Sequence, residues 1–99
     1  MNITNAQRSF MRKRANAMKP YVMIGKNGVT STLIQAIDKT LEIHELVKIR
    51  FQDLQDEKQS ITQDICAQTA AVQVDMIGNV VLLYRQNPDP LKRSIILPE

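Results

Sequence analysis

The fold class is decided by residues 21 to 51, which read YVMIGKNGVTSTLIQAIDKTLEIHELVKIRF. The first four residues form a short apolar run, and residues 46 to 51 alternate between two faces, so both predict strands. Between them, Thr30 or Ser31 can cap a helix whose apolar residues follow helical spacing to about Ile43. A strand–helix–strand unit favours parallel pairing with a right-handed crossover. The stretch therefore predicts an α/β fold.

A helix is also predicted upstream of this unit. Thr4 and Gln7 have the spacing of a capping box, and Pro20 cannot continue a helix. Apolar residues that can supply its inner face are Ala6, Phe10 and Ala17. Methionines expected as core filler in this and other elements are Met11, Met18, Met23 and Met76.

Downstream, the sequence predicts a third helix over roughly residues 57 to 70 and then a hairpin. Gly78-Asn79 is a two-residue turn of the Gly-first kind between VQVDMI and VVLLYR. The second of these strands is apolar on both faces, so it is expected inside the sheet. SIIL (94 to 97) is expected to add a final edge strand.

Together these elements predict one domain spanning residues 1 to 99. Their order is α-β-α-β-α-β-β, and the economical arrangement is a mixed sheet of about four strands with helices packed on it.

Charge is distributed very unevenly along the chain, although the net charge is only +3. Residues 1 to 37 contain six basic residues and no acid, whereas residues 38 to 99 contain seven basic and ten acidic residues. Such segregation indicates a polyanionic partner, with a solvated basic helix face as the alternative. No apolar run is long enough for a membrane span, and a single cysteine excludes an internal disulfide. We therefore expect a cytoplasmic protein without a membrane partner.

The loop Gly25–Gly28 has a composition suited to phosphate. It follows a predicted strand and precedes a predicted helix, where ligands gather and free N–H groups attract anions. Lys26 adds positive charge and Asn27 adds hydrogen-bonding groups. The Walker and dinucleotide patterns are excluded because their glycine and lysine spacings are not met. Two glycines that only shape a tight turn remain the alternative.

A short Gly-x-x-Gly loop with a basic residue is also the device that KH domains use to clamp a nucleic-acid backbone. The chain resembles the CRM domain family, specifically its small stand-alone bacterial YhbY-like members. The resemblance covers nearly the whole chain and is carried by KPYVMIGKNGVT (19 to 30), HELVKIRF (44 to 51), GNVVLLYR (78 to 85) and SIILP (94 to 98).

The resemblance implies a fold similar to the C-terminal domain of translation initiation factor 3. It also implies non-catalytic RNA binding, associated with ribosomal RNA in precursor large ribosomal subunits. The motif residues that would bind RNA are Gly25, Lys26, Asn27 and Gly28, with Lys19 beside them.

Further candidate RNA contacts are Arg8, Arg12 and Arg14 on the first helix and Lys48 and Arg50 on one strand face. The two strand residues could equally be solvent-exposed. Tyr84 could stack on a base, but core packing is favoured by its apolar neighbours. We expect ordinary roles for two other residues: Cys66 is predicted to be a buried small hydrophobe, and His44 a helix-end residue. We predict no catalytic residue, no metal site and no cofactor, and we expect a monomer. The alternative function is an adaptor that docks an acidic protein.

Overall fold

The computed structural model describes residues 2–19 and 22–98. Its elements are α1 (Asn5–Asn16), β1 (Val22–Ile24), α2 (Ser31–His44), β2 (Leu46–Phe51), α3 (Lys58–Thr69), β3 (Val72–Ile77) and β4 (Val80–Tyr84). Short 3-10 helices cover Gln55–Glu57 and Pro90–Lys92. The predicted element order is confirmed, and α2 and α3 begin and end within one residue of the predicted bounds. α1 ends at Asn16, before Ala17 and four residues before Pro20. Tyr21, the first residue of the predicted first strand, and Pro20 before it lie outside the described residues.

The four strands form one mixed sheet in the order β1-β2-β4-β3. β1 and β2 are parallel, as the strand–helix–strand pattern predicted, and the other two pairs are antiparallel. β4 lies inside the sheet, as its apolar sequence predicted. The β3–β4 hairpin closes through Gly78, whose φ of +58° is the conformation that a Gly-first turn requires.

Helices cover both faces of the sheet, which gives the domain two cores. On one face, α2 and α3 enclose a core that includes Ile37, Ile65 and Val81. On the other face, α1 packs Met11 and Ala15 against a smaller core centred on Leu82 and Tyr84. The face covered by α1 is the one that carries the candidate cations of β2.

Local capping signals fix the starts of the first two helices. Thr4 and Gln7 form the predicted capping box, with Thr4 N donating to Gln7 Oε1 at 3.0 Å and Gln7 N donating to Thr4 Oγ1 at 3.1 Å. At α2, Thr30 is the N-cap, and its hydroxyl accepts a hydrogen bond from Leu33 N at 3.1 Å. This second cap sets where the glycine loop ends.

The predicted edge strand over 94 to 97 is wrong. This segment is irregular, because the amides of Ser94 and Ile95 donate to the carboxylate of Glu45, at 2.6 and 3.0 Å, and not to a neighbouring strand. Ile95 is still buried against the α1 core. The C-terminal segment therefore packs on the domain without extending its sheet.

Two predictions about core residues also need correction. The inner face of α1 is centred on Met11 and Ala15, whereas Ala6 and Ala17 are exposed and Phe10 is half-buried. A helix face one residue away from the predicted one brings Met11, confirmed as core filler, against the sheet. Met23 is 46% exposed, because α1 does not reach that end of its sheet face.

Candidate nucleic-acid interface

The glycine loop is an exposed turn between the end of β1 and the start of α2. Gly28 N donates to Gly25 O at 3.0 Å, which closes a four-residue turn. The side chains of Lys26 and Asn27 lie exposed at its tip. Within the described ranges, the Lys26 ammonium has no hydrogen-bond or ion-pair partner, so its charge is available to a ligand.

Most backbone N–H groups around this turn are also available. From Lys26 to Thr32, only Gly28 N donates a hydrogen bond within the part of the chain that the structure describes. Ser31 and Thr32 are the first two residues of α2, where N–H groups lack partners and carry partial positive charge. The loop and the helix start therefore offer several unpaired donors beside the Lys26 ammonium. Phosphate oxygens accept such donors readily.

The two glycines have different local reasons for lacking a side chain. Gly28 has a φ of +63°, and a Cβ there would lie 3.2 Å from Leu54 Cδ1. Gly25 has open space around it: a Cβ there would have no atom within 4 Å. The conformation of the turn and the proximity of Leu54 therefore favour glycine at position 28, whereas nothing in the fold disfavours a side chain at position 25.

An acidic link, residues 52 to 57, lies beside the glycine loop. Gln52 N and Asp53 N both donate to Ile24 O, at 2.9 and 3.2 Å. The acids of the link are Asp53, Asp56 and Glu57, of which the last two are exposed. The sequence does not reveal this proximity, because α2 and β2 separate the loop from the link along the chain. Its negative charge limits the directions from which a phosphate chain can approach.

The candidate arginines of α1 are engaged in contacts that hold the helix to the domain. Arg8 Nε donates to Val74 O at 2.9 Å, and Arg12 Nε pairs with the Asp75 carboxylate. Arg14 makes a longer contact of 3.4 Å from Nη2 to Ser94 O. Each guanidinium keeps further N–H donors, but part of each charge is committed to the fold.

The remaining candidate cations are Lys19, Lys48 and Arg50, and they differ in whether contacts within the fold engage their charge. Lys48 is half-buried, and its ammonium donates to Ala15 O at 3.2 Å and Met18 O at 3.3 Å, at the end of α1. Arg50 is exposed, and none of the residues in the described ranges pairs with its guanidinium. Lys19 is exposed in the connection from α1 to β1. Lys26, in the loop after β1, and Arg50, on the adjacent β2, are thus available charges, whereas Lys48 has a structural role.

Two residues with shifted pKa values belong to the cores. Tyr84 is fully buried, which confirms core packing and takes it out of reach of a stacked base. Burial raises the pKa of Tyr84, the charge of Glu45 raises it further, and Arg93 opposes them. Cys66 is half-buried, and desolvation raises the pKa of its thiol. A raised thiol pKa disfavours the nucleophilic thiolate at neutral pH.

Among residues 2–19 and 22–98, no cluster of three or more His, Cys, Asp or Glu side chains could hold a metal ion. None of the helices there is long and apolar enough to cross a membrane.

An α/β domain with an anion-compatible Gly-x-x-Gly loop at the end of a strand is thus the class that the fold and site define. The chain belongs to the CRS1/YhbY (CRM) domain family, whose model matches residues 3–85.

Relatives match over most of their length as well as most of this chain. An RNA-binding protein of Haemophilus influenzae is 34% identical over 88 residues, covering 88% of this chain and 89% of the relative. A probable RNA-binding protein of Pseudomonas aeruginosa is 29% identical over 93 residues, covering 93% and 89%. The solution structure of a hypothetical protein from Staphylococcus aureus has a TM-score of 0.77 and 31% identity, covering 98% of this chain and all of that one. The similarity therefore extends over the whole domain.

Proposed function

We propose that this protein is a non-catalytic RNA-binding protein that holds the sugar-phosphate backbone at the Gly25–Gly28 loop. The observation that carries the proposal is the exposed turn with the free Lys26 ammonium and unpaired N–H groups that continue into α2. The names of its relatives support RNA as the polyanion. Family resemblance favours ribosomal RNA in precursor large ribosomal subunits, whose assembly the protein would assist in the cytoplasm.

The main test is Lys26→Ala, with Lys39→Ala as the matched control. Lys39 is an exposed lysine on α2, away from the loop. Loss of one phosphate contact should weaken RNA binding and reduce the magnitude of the log K against log salt slope by roughly 0.7 to 0.9. Equal affinities and slopes for the two variants would exclude Lys26 as a phosphate contact.

The kind of RNA needs a separate experiment in cells. Crosslinking the bound RNA and mapping its positions should recover large-subunit ribosomal RNA, and the yield should fall for Lys26→Ala. Recovery of unrelated RNA alone would contradict the ribosomal part of the proposal. Nuclease treatment of a native pull-down distinguishes the adaptor alternative, since partners that bind through RNA are lost and direct protein partners are retained.

A further inference from the structure

One row of the sheet remains open on the face that α1 covers. Met23, Arg50, Val80 and Ile77 are paired neighbours across β1, β2, β4 and β3, and we call these four residues the open row. Met23 is 46% exposed and Ile77 is 66% exposed. The next rows on this face lie under α1, and at their centre Leu82 is 5% exposed and Tyr84 is 0% exposed. The open row therefore forms a ledge beside α1.

The ledge continues into a groove between the sheet and the end of α1. The groove has a volume of about 330 Å³, at the lower end of the range of roughly 300 to 1,000 Å³ found for ligand pockets. Its floor is apolar and consists of Ile77, Val80 and Leu82, and α1 contributes Ala15 and Asn16. Such a floor suits a flat, weakly polar group better than a phosphate, which would lose its hydration there.

Polar groups at the rim of the groove are suited to the edge of a nucleobase. The Asn16 side-chain amide is not hydrogen-bonded by any residue of the described ranges, so a donor and an acceptor are both available. The Lys48 ammonium uses two of its three N–H donors on Ala15 O and Met18 O, which leaves one. The carboxylate of Asp75, which is paired with Arg12, adds hydrogen-bond acceptors to the rim. Proteins recognise unpaired bases partly through hydrogen bonds to the base edges, and this rim offers both donors and acceptors for them.

The open row links this groove to the glycine loop. Met23 lies two residues before Gly25, and Arg50, with its unpaired charge, is next to it on β2. Three strand spacings separate Met23 from Ile77, or about 14 Å. A single strand that leaves the loop can therefore pass the Arg50 guanidinium before it reaches the groove.

From this geometry, and given the proposed function, we propose that the groove accepts an unpaired base of the RNA strand whose phosphates contact the glycine loop. The RNA recognised on this face is therefore single-stranded. A duplex would keep its bases stacked and paired, so none of them could be splayed out and inserted into the groove.

The first test compares Ile77→Ala with Ile43→Ala. Both isoleucines are largely exposed, at 66% and 56%, so neither change should unfold the protein, and Ile43 lies on α2, away from the groove. The probes are a single-stranded oligoribonucleotide of about ten nucleotides and the same sequence paired with its complement. Ile77→Ala should lower affinity for the single strand about five-fold through lost apolar contact. Ile43→Ala should bind as the unchanged protein does.

The second test records amide NMR shifts during titration with the same single strand. Signals from Asn16, Ile77 and Val80 should move together with those of the loop. If loop signals move and groove signals do not, the groove proposal fails while the proposed function stands. If RNA moves neither set, both fail. Equal binding of the duplex, or groove shifts that follow protein concentration without RNA, would also overturn the proposal, the last by indicating a second copy of the chain.

Discussion

The fold constrains Gly28 more strongly than Gly25, and the difference can be measured as a change in the free energy of unfolding. Gly28→Ala should lower the free energy of unfolding by about 1 to 2 kcal/mol, because alanine is strained at a φ of +63° and its Cβ crowds Leu54. Gly25→Ala should change it by less than about 0.5 kcal/mol, because nothing in the fold occupies that space. Urea unfolding of both variants checks the difference.

Gly25→Ala also tests whether a phosphate backbone approaches the loop closely. If a phosphate backbone approaches Gly25 closely, this variant should bind RNA more weakly while remaining as stable as the unchanged protein. Equal destabilisation by the two substitutions would contradict the structural distinction between the glycines.

At the scale of single residues, the sequence predicted the glycine loop but not which of the candidate arginines are engaged in contacts within the fold. Spacing and charge were enough to select Gly25, Lys26 and Gly28, since these are local properties. Spacing could not reveal that Arg8 and Arg12 bind Val74 O and Asp75, because those contacts join residues more than 60 positions apart. Charged residues on a helix look alike in sequence whether they face solvent or another element.

At the scale of elements, Glu45 connects the end of α2 to the C-terminal segment. It is fully buried at the left-handed C-cap, with a φ of 63°. Its carboxylate accepts hydrogen bonds from the backbone N–H groups of Asn87, Ser94 and Ile95, at 2.6, 2.6 and 3.0 Å. Three donors compensate for the burial of this carboxylate.

Glu45→Gln should therefore lower the free energy of unfolding by about 2 to 4 kcal/mol, because the charge is lost and one acceptor becomes a donor facing other donors. Amide exchange at Ser94 and Ile95 should accelerate beyond the change in global stability. Glu42→Gln is the control, since Glu42 is exposed on the same helix. Similar stability and exchange for both variants would mean that Glu45 does not hold the segment.

Glu45 also accounts for the one element that sequence reasoning misassigned. Residues 95 to 97 are apolar and suit a strand, but the amides of Ser94 and Ile95, which a strand would use in a ladder, donate to a carboxylate about 50 positions away. By contrast, β2, β3 and β4 were predicted within their observed bounds or one residue of them, because alternation and turn residues encode them locally.

At the scale of the molecule, the acid-free first 37 residues do not form one layer. They include α1 on one face of the sheet, the loop at the end of β1, and the first half of α2 on the other face. The sequence could not predict which face each helix covers, since pairing order and packing side depend on the whole sheet. The distribution of charge along the sequence therefore predicted a polyanionic partner but not the shape of the basic surface.

The acidic link gives a test of this electrostatic arrangement. Asp56→Asn with Glu57→Gln should tighten RNA binding about three-fold at low salt, because two exposed negative charges beside the loop are removed. The control is Glu42→Gln with Asp64→Asn, which changes the net charge equally on exposed positions of α2 and α3. Affinities measured from low to high salt should converge for all three proteins. Equal tightening by the control would indicate an effect of net charge alone.

The two outer strands of the sheet also limit unwanted association. β1 has only three residues, and β3 has a register irregularity between Gln73 and Asp75. At that irregularity, Arg8 Nε donates a hydrogen bond to Val74 O, and Arg12 pairs with Asp75 beside it. Short, interrupted and charged edges are poor templates for a strand of another chain. The arginines that hold α1 in place thus also place charge along this edge of the sheet, where it disfavours pairing with another chain.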